Sequence, residues 1–244
     1  KMTIMSFEEH KSPKVIVALD YQNENDALKM AKILSPDICN LKVGLELFIN
    51  CGPSIIKKLH NLDYKIFLDL KLHDINNTVS KSIGVIRNLG VWMTNVHASG
   101  GDSMMMDAVE ELKKNDSNII LLGVTVLTSL NNEKFKKIGF SRDVKGQVLH
   151  MASMCHRSKL NGIVCSAKEA KIIKKSLPSD FICVCPGIRT KKNLNNDQER
   201  IMTPKEAAEN GADYIVVGRP ITQSNDPLDS LKRIKEEFET NVIK

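Results

Sequence analysis

Short runs rich in valine, isoleucine and leucine alternate along the chain with longer stretches whose apolar residues recur at helical spacing. The runs cover residues 14–20, 40–47, 65–74, 93–99, 118–129, 162–167, 181–189 and 214–221, and each reads as a strand. Between them, amphipathic patterns predict helices over 25–34, 53–59, 79–89, 103–114, 144–157, 167–175 and 204–210, with a last one over 227–242. Helix starts are punctuated: Pro53 follows Gly52, and Thr203-Pro204-Lys205-Glu206 reads as an N-cap followed by a first-turn proline. Eight strand–helix units in 244 residues predict an α/β fold, a (β/α)8 TIM barrel, as one domain over residues 1–244. An open doubly wound sheet is disfavoured, because no GxGxxG follows the first strand.

Composition narrows the function classes. A hydrophobic fraction of 42% and a charged fraction of 26% suit a globular domain, and no apolar run approaches the roughly 20 residues of a membrane span. Residues 1–10 lack the apolar core of a secretory leader, so none is expected. The net charge is +6, but the lysines are spread beside Asp and Glu, which reads as a solvated surface. Aromatics make up only 5%, too few for base-stacking platforms. Neither a nucleic acid nor a membrane is therefore expected as a partner. The six cysteines form no CxxC pair, and Cys183 and Cys185 sit two apart in a strand-like run. Buried, reduced thiols and a cytoplasmic location are expected.

In such a barrel, chemistry gathers at the C-terminal ends of the strands. There the sequence places Asp20, Lys42, Asp69, Lys71 and Asp74, His97, Thr128, Arg189, Gly218 and Arg219. On the third strand, alternation puts Ile66, Leu68, Leu70 and Leu72 toward the helices, and Phe67, Asp69 and Lys71 toward the interior. Phe67 suits a packed layer, with Asp69 and Lys71 above it at the mouth. Charges crowded into a half-buried site cost free energy unless they compensate one another. On the second strand, Leu41, Val43, Leu45 and Leu47 form one apolar face, so Lys42, Gly44 and Glu46 are expected to face the barrel. Lys42, Asp69, Lys71 and Asp74 then form an alternating array of cations and carboxylates. An ion pair that merely closes the barrel top is the competing reading; apolar residues often replace such pairs without harm.

The phosphate-binding chemistry reads separately. Gly218 lets a backbone approach an anion, Arg219 offers a planar fork, and Arg189 converges from the preceding strand. Gln198 lies in the polar loop 190–200, long enough to act as a closing lid. His73 and His97 have no second ligand at strand or helix spacing, so no metal is assigned.

Taken together, these stretches resemble orotidine 5′-monophosphate decarboxylase of the bacterial type. The resemblance rests on Val15-Ile-Val-Ala-Leu-Asp20, Leu41-Lys-Val-Gly-Leu-Glu-Leu-Phe48 and Phe67-Leu-Asp-Leu-Lys-Leu-His-Asp-Ile75. It continues through Asn95-Val-His-Ala98, Val124-Thr-Val-Leu-Thr-Ser129, Cys185-Pro-Gly-Ile-Arg189, Asp197-Gln198 and Val217-Gly-Arg-Pro220. The DxKxxD motif alone is shared with a sister group of sugar-phosphate decarboxylases and synthases; the ensemble is far more specific. Asn76 stands where the family usually has proline, which should loosen that loop slightly.

The resemblance implies decarboxylation of orotidylate to uridylate in pyrimidine biosynthesis, with no metal and no organic cofactor. It implies that Lys71 protonates carbon 6 of the pyrimidine, that Asp69 lies beside the departing carboxylate, and that Lys42 and Asp20 bind ribose hydroxyls. It assigns Gln198 to the phosphate, where it joins Arg189, Gly218 and Arg219 read above, Thr128 to the pyrimidine, and Thr78 to the substrate. It further implies a homodimer in which Asp74 reaches into the partner's site. Two rivals are a metal-dependent sugar-phosphate decarboxylase or synthase and a catalytically dead nucleotide-binding barrel. The first needs, at the strand-two position, a metal-binding glutamate where Lys42 stands; nothing in the sequence favours the second.

Overall fold

In the computed structural model, which describes residues 12–114, 116–189 and 202–241, eight parallel strands pair in sequence order and close into a barrel. The strands are β1 (Val15–Ala18), β2 (Asn40–Gly44), β3 (Ile66–Leu72), β4 (Met93–His97), β5 (Ile120–Val124), β6 (Gly162–Val164), β7 (Ile182–Cys185) and β8 (Tyr214–Val217). All eight predicted strands are present, and the architecture is a TIM barrel.

Two hydrophobic layers hold it. Inside the barrel, Ile16, Ala18, Phe67, Met93, Leu122, Val184 and Val216 pack together, so Phe67 occupies the interior layer that alternation predicts. The opposite strand faces, including Val17, Leu41, Ile66, Leu68 and Ile215, join a larger cluster beneath the helices. Cys183 and Cys185 lie in this outer cluster and are fully buried. All six cysteines are free thiols, and burial pushes Cys39 up to about 12, far from a reactive thiolate at neutral pH.

The helices follow from their caps. Helix α1 (Glu24–Ile33) begins where the Asn23 side chain accepts from the Asp26 amide. The long helices α4 (Asn76–Asn88) and α5 (Gly101–Lys113) pack against each other, and α7 (Val144–Arg157), α8 (Ala167–Ser176) and α11 (Pro227–Glu239) follow along the chain. Helix α9 (Pro204–Glu209) opens with the predicted N-cap: Thr203 and Glu206 form a reciprocal capping box with Pro204 in the first turn. The remaining helices are α2 (Leu45–Cys51), α3 (Ser54–His60), α6 (Asn132–Lys137) and α10 (Arg219–Thr222).

Every strand ends short of its predicted run, and three of these ends move residues named above. The second run turns helical at Leu45, so Glu46 is exposed on α2 and does not face the barrel. Alternation over four residues is too short to separate strand from helix, and a barrel strand ends once it has crossed the packed layer. The fifth run leaves the sheet at Val124, placing Thr128 in the turn beyond it. The eighth leaves at Val217, so Arg219 opens α10.

Candidate active site

At the C-terminal mouth, four charged side chains from three adjacent strand ends form a chain. Lys42 donates to Asp20 Oδ1 at 3.2 Å and lies 3.5 Å from Asp69 Oδ2. Lys71 donates to Asp69 Oδ1 at 2.8 Å. The order is carboxylate, ammonium, carboxylate, ammonium, with no net charge. The side chains of Lys42 and Asp69 are only 11% and 12% exposed, whereas Asp20 is open to solvent. Burial alone would raise the Asp69 pKa. The Lys42 and Lys71 cations, with hydrogen bonds from Lys71 and Asn95, outweigh burial and hold this carboxyl below its usual value.

Lys71 reaches this position by a break in the sheet. Phe67 pairs with Met93 and Leu68 with Thr94, but the next pair is Leu72 with Val96. Asp69, Leu70 and Lys71 therefore stand opposite Asn95 alone. The excess is absorbed at Lys71, whose φ of 51° is left-handed, costly for any residue with a Cβ. Strict alternation thus accounts for Phe67 and Asp69 but not for the backbone that carries Lys71.

Asp74 stays apart from this cluster. It is exposed at the start of the loop after β3, where its carboxylate accepts from the Ile75 amide at 2.7 Å. Among the described residues it forms no ion pair, so the array within one chain is completed by Asp20, not by Asp74 as expected. Thr78 is exposed on the first turn of α4 nearby. Asn76 donates to Ser103 Oγ on α5 at 2.6 Å, which ties the loop where slight loosening was expected.

Across the mouth, Arg189 is buried after β7, and Gly187 before it has a φ of 79°. Burial and the neighbouring Arg219 both disfavour the Arg189 charge. Among the described residues neither guanidinium forms an ion pair with a carboxylate. Gly218 caps α10 at the same end of β8, beside Asp20. Thr128 is half-buried beyond β5. Gln198 and the rest of the predicted lid lie outside the described residues.

The comparison with known proteins follows the same contour. A family model for the orotidine 5′-phosphate decarboxylase / HUMPS family matches residues 13–234. This chain belongs to that family. It is 44% identical over 226 residues to an orotidine 5′-phosphate decarboxylase of Saccharophagus degradans, covering 93% of this chain and 95% of the relative. It is 45% identical over 236 residues to that of Pseudoalteromonas translucida, covering 96% and 100%. The crystal structure of the Lactobacillus acidophilus enzyme superposes with a TM-score of 0.82 at 40% identity, covering 93% of this chain and 99% of that one.

For a member of this decarboxylase family, two further residues shape the site without being charged. Asn95 is fully buried on β4 and bridges the bulge. Gly44 gives Lys42 its space: a Cβ there would lie 2.9 Å from the Lys42 ammonium nitrogen. An amide in an inward-facing apolar run is the sequence signal for Asn95. Gly44 gives no signal until the position of Lys42 is known. His73 and His97 stack at 5.3 Å, and no group of three His, Cys, Asp or Glu side chains able to hold a metal ion occurs among the described residues.

Proposed function

We propose that this chain is a carboxy-lyase that converts orotidine 5′-monophosphate to uridine 5′-monophosphate and carbon dioxide, the step that yields UMP in pyrimidine biosynthesis. The observation that carries the reading is the Asp20–Lys42–Asp69–Lys71 chain at the barrel mouth. In this reading the reaction leaves an electron pair on carbon 6 of the pyrimidine. Lys71 places an ammonium where that charge develops, stabilises it and delivers the proton. Asp69 orients Lys71 and borders the departing carboxylate. Two like charges about 4 Å apart repel by roughly 4 kcal/mol at an effective dielectric near 20, about three decades in rate. Ground-state repulsion is therefore not the sole source of catalysis, which leaves a part for stabilisation by Lys71.

Lys42 and Asp20 bind the ribose hydroxyls, Thr128 the pyrimidine, and Thr78 the substrate. Arg189, Gly218, Arg219 and Gln198 take the phosphate, whose remote binding energy helps to order the site. The working unit is a homodimer, with Asp74 of each chain completing its partner's site. The exposed Asp74 carboxylate and the 72% exposed Ile75 beside it support this arrangement. The chain functions as one barrel domain in the cytoplasm, without metal or organic cofactor, and neither nucleic acid nor membrane is a partner. The free, buried thiols suit a reducing compartment. Among the described residues, no helix is long and apolar enough to cross a membrane.

The test is loss of orotidylate absorbance on adding the purified protein, with and without excess chelator. Turnover that survives chelation supports the assignment. Turnover abolished by chelator would contradict the metal-free reaction, and no turnover in either condition would refute decarboxylation of orotidylate.

A further inference from the structure

Asp69, Leu70 and Lys71 span a gap in the β3–β4 ladder that the partner strand meets with the single residue Asn95. The Asn95 side chain does the bridging. Its Oδ1 accepts from the Lys71 backbone amide at 2.8 Å, and its Nδ2 donates to Asp69 Oδ1 at 2.7 Å. The same Asp69 oxygen receives the Lys71 ammonium at 2.8 Å. One carboxamide thus closes a ring through the backbone of Lys71, its side chain and the carboxylate that receives it.

Each end of the carboxamide has a separate task. The left-handed backbone of Lys71 needs compensation from its surroundings, and the bond to its amide replaces the ladder bond that the bulge removes. The buried carboxylate needs its lone pairs satisfied, and the Asn95 donor does this without adding charge. Only an uncharged group with an acceptor and a donor on one short stem meets both needs. Asn95 is fully buried on a rigid strand, so it holds these atoms with little freedom to move. Next to it, Thr94 donates to the Leu68 carbonyl at 2.9 Å and fixes the start of the bulge.

We infer that Asn95 is a positioning residue for the decarboxylation, setting where the Lys71 ammonium stands through paired hydrogen bonds to the Lys71 backbone and the Asp69 carboxylate. The inference rests on Lys71 as the proton donor. It predicts an effect on turnover with little effect on nucleotide affinity, because Asn95 bonds Asp69 Oδ1 while the ribose-assigned Lys42 meets Oδ2, and Asp20 and the phosphate groups are not among its partners.

The test compares Asn95→Leu, which keeps the branching and the heavy-atom count while removing both hydrogen bonds, with Asn95→Ala and Asn95→Asp in the full chain. Asn95→Asp still accepts from the Lys71 amide but sets a second carboxylate against Asp69. Melting curves establish that each variant folds. In folded variants kcat for orotidylate is expected to fall about 10- to 100-fold, the scale of losing a hydrogen bond to a charged group. KM, and the Kd of uridylate by calorimetry, should stay within about threefold. A folded variant with native kcat, or an equal loss in kcat and uridylate affinity, would overturn the inference. Failure of all three variants to fold would also overturn it, since the fold and not the site would then need Asn95. Lys71→Ala run alongside separates the two readings. If it keeps turnover, the assignment of Lys71 itself fails; if it is inactive while the Asn95 variants are native, only the positioning role is lost.

Discussion

Lys42 on β2 stands beside Asp69 on β3, its ammonium nitrogen 3.5 Å from Asp69 Oδ2, and the same nitrogen donates to Asp20 Oδ1 at 3.2 Å. One buried cation is thus shared between two carboxylates on its two neighbouring strand ends. The sharing depends on clearance, because Lys42 passes close over Gly44 at the end of its own strand.

Gly44→Ala tests that clearance. The backbone at Gly44 is extended, with φ −97°, so alanine meets no conformational penalty. The added Cβ would sit 2.9 Å from the Lys42 nitrogen, the mobile end of a flexible side chain. Stability should change by less than about 1 kcal/mol, while displacement of the ammonium should lower kcat/KM about 10- to 100-fold. Denaturant melts and steady-state kinetics read both quantities. Native kinetics would mean that the position of Lys42 is not critical.

Much of this arrangement was legible before the structure. Periodicity gave all eight strands, because each crosses a layer that is apolar on both faces, and it placed Phe67 in the barrel interior. It failed where strands end, at Leu45 and beyond Val124, because a short apolar run has no feature that marks the rim of a barrel. The charged residues stood out because Asp and Lys at inward positions contradict packing. The left-handed Lys71 and its bridge to Asn95 were hidden, since a bulge is a relation between two strands and leaves no local signature when the residue bearing it is not glycine.

Asp69 should leave a pH signature in stability. Burial raises its pKa, but Lys42 and Lys71 outweigh burial and hold the folded-state value below the unfolded one. A depressed carboxyl contributes stability above its unfolded pKa of about 3.9 and loses it as pH falls through the folded value. Asp69→Asn removes this contribution and leaves two ammonium groups facing a neutral amide. The destabilisation should be on the order of 3 kcal/mol near pH 7 and should shrink below about pH 4. Urea midpoints of the two proteins between pH 7 and 3 measure it; a difference that does not vary with pH would contradict the coupling.

Arg219→Ala separates phosphate from nucleoside. Arg219 and Arg189 are close enough for their charges to oppose each other, a cost that a bound phosphate dianion would remove. The variant should weaken binding of uridylate by about 2–3 kcal/mol, roughly 30- to 150-fold, and leave uridine affinity nearly unchanged. Calorimetry with both ligands decides it: equal losses would place Arg219 outside the phosphate site.

The dimer makes the most specific prediction. If Asp74 crosses a two-fold axis, each site takes Asp69 and Lys71 from one chain and Asp74 from the other. Homodimers of Lys71→Ala and of Asp74→Ala should then both be severely impaired. In a mixed dimer, one site carries both substitutions and the other carries neither. Random exchange of equal amounts makes about half of the dimers mixed, so about a quarter of all sites become native. Activity should appear on mixing, rise with incubation as chains exchange, and level off near that fraction. Differently tagged chains captured together would establish that exchange has occurred. If the mixture stays inactive after exchange, Asp74 serves its own chain, and the assignments of Lys71 and Asp69 would stand without it.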